Sequence, residues 1–215
     1  MAKVIPAIIA KDFKELEQKI KKTEDYFDWI QIDIMDGLFV DNITWNNPLD
    51  LKKINTKAKL EAHLMLDKPE DFIDSWIESG VSRIIFHFEA TEDHQKIINQ
   101  IKSAGLEAGL AVNPDTPIES VYSFADSLKM LLVMGVNPGF SGQDFKEETI
   151  LKIKKIRNNF NDLIIGLDGG VNFNNSSKVI KAGADILVSG SVIFKSTDIK
   201  KTVSKLLKKD ESKKA

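Results

Sequence analysis

Residues 163–170 read LIIGLDGG, a short apolar run that ends in a carboxylate and two glycines. Two further apolar runs also end at a polar side chain: residues 29–33 read WIQID, and residues 60–63 read LEAH. Short runs rich in Ile and Leu are typical of strands that are buried on both faces of a parallel sheet. Because the carboxyl ends of parallel strands meet at one edge, the polar residues that end these runs are expected to converge.

The rest of the chain alternates between strand-like and helix-like segments. Strand-like runs occupy residues 4–9, 29–34, 58–65, 82–87, 107–112, 129–134, 162–167 and 185–189, and helical patterns occupy residues 13–26, 49–55, 69–79, 92–104, 117–124, 145–158, 173–182 and 197–208. Gly80, Gly105 and Gly183 each follow a helical pattern, and a glycine just past a helix end supplies the left-handed residue that stops the helix. Eight strands that alternate with helices predict a single (β/α)8 TIM barrel. An open doubly wound sheet is the alternative, but residues 8–11 lack its usual glycine fingerprint.

Composition and charge indicate a soluble, intracellular protein of one domain. The chain has 215 residues, enough for a full hydrophobic core, and no linker divides residues 1–207. The charged segment 208–215 is expected to be a disordered tail. A net charge of -2 gives no reason to expect nucleic acid or a membrane as partner, and the absence of cysteine excludes disulfides and thiolate metal sites. No apolar stretch is long enough to span a membrane and no signal-peptide layout is present, so a cytoplasmic location is expected.

Asp33, His63 and Asp168 are the polar residues that end the three runs described first. In a barrel of parallel strands, all three side chains would share the mouth at the carboxyl end. Two carboxylates and an imidazole in one mouth predict either a metal site or acid–base chemistry.

Three glycine-containing segments follow the sixth, seventh and eighth predicted strands. They are residues 137–142, which read NPGFSG, the pair Gly169-Gly170, and the pair Gly190-Ser191. Glycine lets backbone N–H groups approach an anion closely, and the loops after the last strands of such barrels often bind phosphate. The segments therefore predict a phosphate-bearing substrate.

Met35, Met65 and Met134 each stand at the end of a predicted strand. Methionine often fills gaps in a core, which is one interpretation. Three methionines at equivalent positions favour another, a soft apolar lining that shields a reactive intermediate from water.

Six segments together resemble the ribulose-phosphate 3-epimerase family. They are residues 6–13 (PAIIAKDF), 33–40 (DIMDGLFV), 63–65 (HLM), 136–143 (VNPGFSGQ), 168–171 (DGGV) and 190–191 (GS). The resemblance implies a barrel of the ribulose-phosphate-binding type that interconverts D-ribulose 5-phosphate and D-xylulose 5-phosphate through an enediolate. It also implies one divalent metal ion, usually zinc or iron, bound by two histidines and two aspartates.

Carried over by position, the resemblance gives Asp33 and Asp168 the roles of acid and base on opposite faces of carbon 3, as inversion requires. The same two aspartates and His63 would be metal ligands. The residues that the resemblance and the strand-end pattern place against substrate are His63, Met35, Met65, Met134, Gly139, Phe140, Ser141, Gly142, Gly169, Gly170, Gly190 and Ser191.

Two positions depart from the family pattern: Gln31 stands where a metal-binding histidine is expected, and Ala7 where a serine contacts substrate. The neutral amide of Gln31 is expected to weaken binding of zinc-like ions and to favour oxygen-preferring ions such as manganese. Three interpretations follow. In the first, Asp33, His63 and Asp168 hold a metal ion, and Gln31 or water completes its coordination. In the second, the metal is absent and Gln31 donates a hydrogen bond to the enediolate. In the third, epimerisation is lost and the barrel binds or processes another sugar phosphate.

Other functions stay open beside the pentulose epimerase. A 3-epimerase of a hexulose 6-phosphate would use the same groups, and a sugar-phosphate-binding homologue without activity is the non-enzymatic alternative. A decarboxylase or aldolase usually needs a lysine near the reacting carbon, and the predicted strand ends offer none.

Three further expectations concern residues outside this set. His87 could line the pocket or be a hydrogen-bonded structural residue, and His94 is expected in solvent. Residues 39–48 form a long connection that could serve either the pocket or the interface of a homo-oligomer.

Overall fold

Eight parallel strands form a closed barrel in chain order, and the last strand pairs with the first. The computed structural model describes residues 2–140 and 142–208. The strands are β1 (Lys3–Ile8), β2 (Trp29–Met35), β3 (Lys59–Met65), β4 (Arg83–His87), β5 (Glu107–Val112), β6 (Met130–Met134), β7 (Ile164–Asp168) and β8 (Ile186–Ser189). This arrangement confirms the predicted TIM barrel and excludes the open sheet.

Helices follow the strands on the outside of the barrel. The α-helices are α1 (Phe13–Thr23), α2 (Ile73–Ile77), α3 (His94–Ser103), α4 (Thr149–Asn159), α5 (Ser176–Ala182), α6 (Ser191–Phe194) and α7 (Ile199–Leu206), and 3-10 helices span Pro48–Lys53, Pro69–Asp71, Phe88–Ala90 and Ile118–Ser127. Gly80, Gly105 and Gly183 have φ of 92°, 79° and 118°. These left-handed residues confirm the predicted helix stops.

Three helical predictions differ from the structure in the type of helix. The short helix expected over residues 49–55 is a 3-10 helix over Pro48–Lys53. The helix expected over residues 117–124 is a 3-10 helix over Ile118–Ser127, a segment with several Ser and Asp side chains, which compete with the helical backbone for hydrogen bonds. The helix expected over residues 69–79 starts as a separate 3-10 turn at Pro69, and α-helical geometry is confined to Ile73–Ile77.

The alternation of side chains along β2 places the polar residues inside the barrel. Ile30, Ile32 and Ile34 belong to the large apolar core between the strands and the helices. Because successive side chains on a strand point to opposite faces, Gln31 and Asp33 point into the barrel.

A second apolar cluster fills part of the barrel interior. Its buried members are Ile5, Ala7, Ile85, Ala111, Met130, Leu132, Met134, Ile186 and Val188. The barrel is therefore a packed core, and the open space lies at its carboxyl-terminal mouth.

Within residues 2–140 and 142–208, no helix is both long and apolar enough to cross a membrane. The assignment of residues 1–207 to one domain stays a prediction. Of the charged tail predicted at residues 208–215, all but the first residue lies outside the described part of the chain.

Candidate active site

Asp33, His63 and Asp168 meet at the mouth of the barrel, as the sequence predicts. Asp33 and His63 are cross-strand partners in the register of β2 and β3, and Asp168 ends β7. Each offers one ligand atom within 4.8 Å of the others, and all three side chains are buried. Among the described residues, this is the one group of histidines and carboxylates arranged to hold a metal ion.

The side-chain amide of Gln31 lies between the two carboxylates. Its Nε2 donates hydrogen bonds to Asp33 Oδ1 and to Asp168 Oδ2, each 2.7 Å away. A single nitrogen at this distance from both oxygens shows that the two carboxylates border the same small volume. The amide oxygen Oε1 is buried and has no hydrogen-bond partner in the structure.

His63 lies against the same pair. Its Nδ1 is 3.2 Å from Asp33 Oδ1 and 3.4 Å from Asp168 Oδ2. Burial alone would lower the pKa of His63, but hydrogen bonds and charge attraction from Asp168 and Asp33 outweigh it and raise this pKa to about 9. Burial raises the pKa of Asp33, and the neighbouring charge of Asp168 acts in the same direction. The site therefore favours positive charge between its carboxylates.

These residues fit a divalent ion. Two carboxylates and an imidazole converge, which is a donor set that zinc, iron and manganese all accept. The buried Oε1 of Gln31 has no hydrogen-bond partner, and a half-turn of the amide would exchange it with the nitrogen that now faces the carboxylates. With that nitrogen facing the carboxylates, Gln31 is not placed as a ligand here, and its ligand role stays a prediction.

The three predicted methionines all line the cavity at this mouth. Met35 and Met65 are cross-strand partners, and both are buried. Met134 belongs to the inner apolar cluster below them. Their position matches the predicted apolar lining, while their effect on an intermediate stays a prediction.

The predicted phosphate segments border the same cavity. Its lining includes Gly139, Phe140, Gly142, Gly169, Gly170, Gly190 and Ser191. Gly169 has φ of 94°, and a Cβ there would lie 2.5 Å from Val136 Cγ2, so only glycine fits. Ser141 lies outside the described residues. The structure thus brings the other predicted substrate-contacting residues to one cavity, and phosphate binding stays a prediction.

The two departures from the family pattern are neighbours. Ala7 on β1 is the cross-strand partner of Gln31 on β2, and Ala7 lines the cavity. The described residues that line this cavity include no lysine.

The structure contradicts the prediction for His94 and decides between the two predictions for His87. His94 is buried, not solvated: Phe88 stacks on its ring at 4.5 Å, and its Nε2 is 2.7 Å from the Phe88 carbonyl oxygen. His87 does not line the cavity but lies behind His63, with their Nε2 atoms 2.9 Å apart. Sequence reasoning missed this contact, although the position of His87 at the end of a strand next to β3 could have suggested it.

A model of the ribulose-phosphate 3 epimerase family matches residues 3–194 of the chain. The chain belongs to this family. Relatives include ribulose-phosphate 3-epimerases of Bacillus subtilis, 38% identical over 214 residues that cover 96% of this chain and 98% of the relative, and of Chlamydia pneumoniae, 41% identical over 203 residues that cover 90% and 88%.

Two solved structures with the same architecture belong to other enzymes. A 3-hexulose-6-phosphate synthase superposes with a TM-score of 0.69 at 16% identity and covers 95% of this chain and 97% of that one. A mutant tryptophan synthase α-subunit of Pyrococcus furiosus superposes with a TM-score of 0.74 at 14% identity and covers 96% and 98%. At such identities the likeness shows the fold alone.

Proposed function

We propose that this chain is a carbohydrate-phosphate epimerase that interconverts D-ribulose 5-phosphate and D-xylulose 5-phosphate by inverting carbon 3. Family membership supports the activity. The observation that carries the mechanism is the pair of buried carboxylates, Asp33 and Asp168, each 2.7 Å from the same Gln31 nitrogen.

Proton transfer follows from two carboxyl groups that border one reacting carbon. One carboxylate removes the proton from carbon 3, and the electron pair of that bond moves into an enediolate that spans carbons 2 and 3. The opposite carboxyl group, protonated, then donates its proton to the other face of carbon 3. Atoms and charges balance over the cycle, since one carboxyl gains the proton that the other loses.

A divalent ion in this site would be held by Asp33, His63 and Asp168, with Gln31 Oε1 as a fourth donor after the amide turns. Such an ion supplies positive charge that stabilises the enediolate oxygens. The exchange of an imidazole for an amide supports a preference shifted from zinc and iron toward manganese. Before the amide turns, the two hydrogen bonds from Gln31 Nε2 hold both aspartates against one volume.

The remaining lining residues hold the substrate in place. Backbone N–H groups around Gly139, Gly142, Gly170 and Gly190 are suited to the phosphate, and the three methionines exclude water from the enediolate face. A sugar phosphate is therefore the proposed partner. A homo-oligomer formed through residues 39–48 remains an expectation.

The proposed location is the cytoplasm. One relative, from rice, is named as a cytoplasmic isoform and is 35% identical over 98% of this chain. A relative from Arabidopsis thaliana is named as chloroplastic.

Proton exchange tests the function directly. The purified protein is incubated in deuterated water with D-ribulose 5-phosphate and, in a parallel sample, with a hexulose 6-phosphate, each with manganese, zinc or no added ion. Proton spectra should show the pentulose converted to xylulose 5-phosphate with deuterium at carbon 3. Exchange confined to the hexulose would move the assignment to that substrate, and no exchange with either sugar would contradict an epimerase.

A further inference from the structure

His87 is packed directly against His63, on the side away from the cavity. The two Nε2 atoms are 2.9 Å apart, and the ring centroids are 5.0 Å apart. Both side chains are fully buried, so neither nitrogen can turn to solvent. Two imidazole nitrogens at this distance form a hydrogen bond only when one carries a hydrogen and the other offers its lone pair.

Glu89 decides which nitrogen carries the hydrogen. Its Oε2 lies 3.4 Å from His87 Nδ1, and an ionised carboxylate can only accept. The Glu89 side chain is itself held, because its Oε1 accepts hydrogen bonds from the backbone N–H of Asn113 at 2.8 Å and from the Thr116 hydroxyl at 2.5 Å. His87 therefore carries its hydrogen on Nδ1 and presents a lone pair at Nε2.

His63 must then donate from Nε2, whatever its charge. Its second nitrogen, Nδ1, faces Asp33 Oδ1 at 3.2 Å, Gln31 Nε2 at 3.3 Å and Asp168 Oδ2 at 3.4 Å. We propose that His87 and Glu89 are positioning residues that hold the hydrogen of His63 on Nε2 and so keep Nδ1 as the nitrogen that binds a divalent ion. The inference rests on the proposed function, because it assumes an ion between the two aspartates.

Ring-nitrogen spectra test the hydrogen assignment without any ion or sugar. The chain has 3 histidines, so long-range proton–nitrogen correlation of histidine-labelled protein is readily assigned. Wild-type protein should show a hydrogen on Nε2 of His63, with or without a second hydrogen on Nδ1, and a hydrogen on Nδ1 of His87. Glu89→Leu should leave His87 as a mixture of both tautomers. A His63 that bears its hydrogen on Nδ1 alone would overturn the proposal.

Zinc binding, measured by calorimetry with zinc chloride alone, tests the consequence. His87→Leu removes the acceptor behind His63 and should weaken zinc binding on the order of 10- to 100-fold, the usual effect of losing a residue that orients a metal-bound histidine. His87→Gln offers an amide oxygen near the position of the lost Nε2 and should recover most of the affinity. His94→Leu is the matched control, since it removes a buried histidine that does not touch His63, and it should bind as wild type does.

The outcomes separate this inference from the proposed function. Equal zinc affinity in His87→Leu and His94→Leu would contradict the positioning role even if the protein epimerises ribulose 5-phosphate. If the spectra and zinc affinities are as expected but the protein does not exchange the hydrogen at carbon 3, the positioning role stands and the proposed function is contradicted.

Discussion

Both ends of the barrel interior carry charged side chains, but the partners of these side chains differ between the two ends. At the amino-terminal end, Arg83 donates to Glu61 at 2.6 Å and to Glu107 at 2.5 Å, and its guanidinium lies 4.2 Å from the Trp29 ring. At the carboxyl-terminal mouth, two aspartates share one neutral amide and one imidazole. Arg83 gives the lower cluster a permanent positive charge, whereas the described residues that line the mouth include no arginine or lysine.

This difference separates residues that hold the barrel together from residues that meet a ligand. Glu61 and His63 are two positions apart on β3 and point into the same interior, yet they belong to different clusters. A buried charge needs a partner of opposite charge. A buried charged side chain that lacks a permanent partner within the protein is available to bind an ion or a substrate. Changes at the lower end should therefore alter stability, and changes at the mouth should alter binding and turnover.

Loss of Arg83 should produce the largest change in stability. Arg83→Met leaves Glu61 and part of Glu107 without a counter-charge, and removal of one partner of a buried ion pair typically costs about 3–5 kcal/mol. Urea unfolding measures the loss, and turnover of the folded protein should stay near wild type. Lys155→Met, which breaks the exposed pair with Glu119, is the control and should leave stability almost unchanged, because water screens an exposed ion pair. A similar small loss in both variants would contradict the buried cluster as a stabilising unit.

Glu61 should make stability depend on pH. Burial raises its pKa from 4.5 to about 7, because desolvation outweighs the attraction of Arg83, which also serves Glu107. The folded state then binds a proton more tightly than the unfolded state does, so stability should fall as pH rises between 4.5 and about 7 and level off above that range.

Glu61→Gln tests this dependence. In wild type, the free energy of unfolding should decrease by roughly 3 kcal/mol as pH rises, which is the value of a shift of about two and a half pKa units. In the variant this decrease should be absent. Urea unfolding at about pH 5 and about pH 8 gives the difference between variant and wild type. If the stability difference between variant and wild type is the same at both pH values, Arg83 compensates the ionised Glu61 fully.

Gln31→His should produce a smaller change, confined to the mouth. An imidazole in place of the amide restores a nitrogen donor, and zinc affinity is expected to rise about tenfold or more. Zinc content after dialysis and direct titration measure it, with Ala7→Ser as a control that alters the neighbouring position without adding a nitrogen. Unchanged zinc binding would show that position 31 does not reach the ion.

The barrel and most of the mouth could be predicted from the sequence because both rest on local patterns. Short Ile- and Leu-rich runs identify the strands, and Asp33, His63 and Asp168 stand at their ends. The direction of the Gln31 amide could not be predicted, since it depends on a hydrogen bond to Asp168, which is 137 positions away. The burial of His94 was predicted wrongly because a polar helix start gave no sign of the Phe88 ring that covers it.

The His63–His87 contact and the Arg83 cluster depend on register between strands. Sequence runs show that β3 and β4 exist, but not that Glu61 lies level with Arg83. A shift of one residue would turn these side chains out of the barrel. Such pairs are visible only once the strands are aligned.

Turnover of Asp33→Asn and Asp168→Asn with D-ribulose 5-phosphate tests the central claim most directly. Each variant keeps the size and an oxygen of the side chain but cannot exchange a proton, so both should retain the fold and lose epimerisation by about 10²- to 10⁴-fold. If either folded variant turns over within a few-fold of wild type, two opposed carboxyl groups do not carry the reaction.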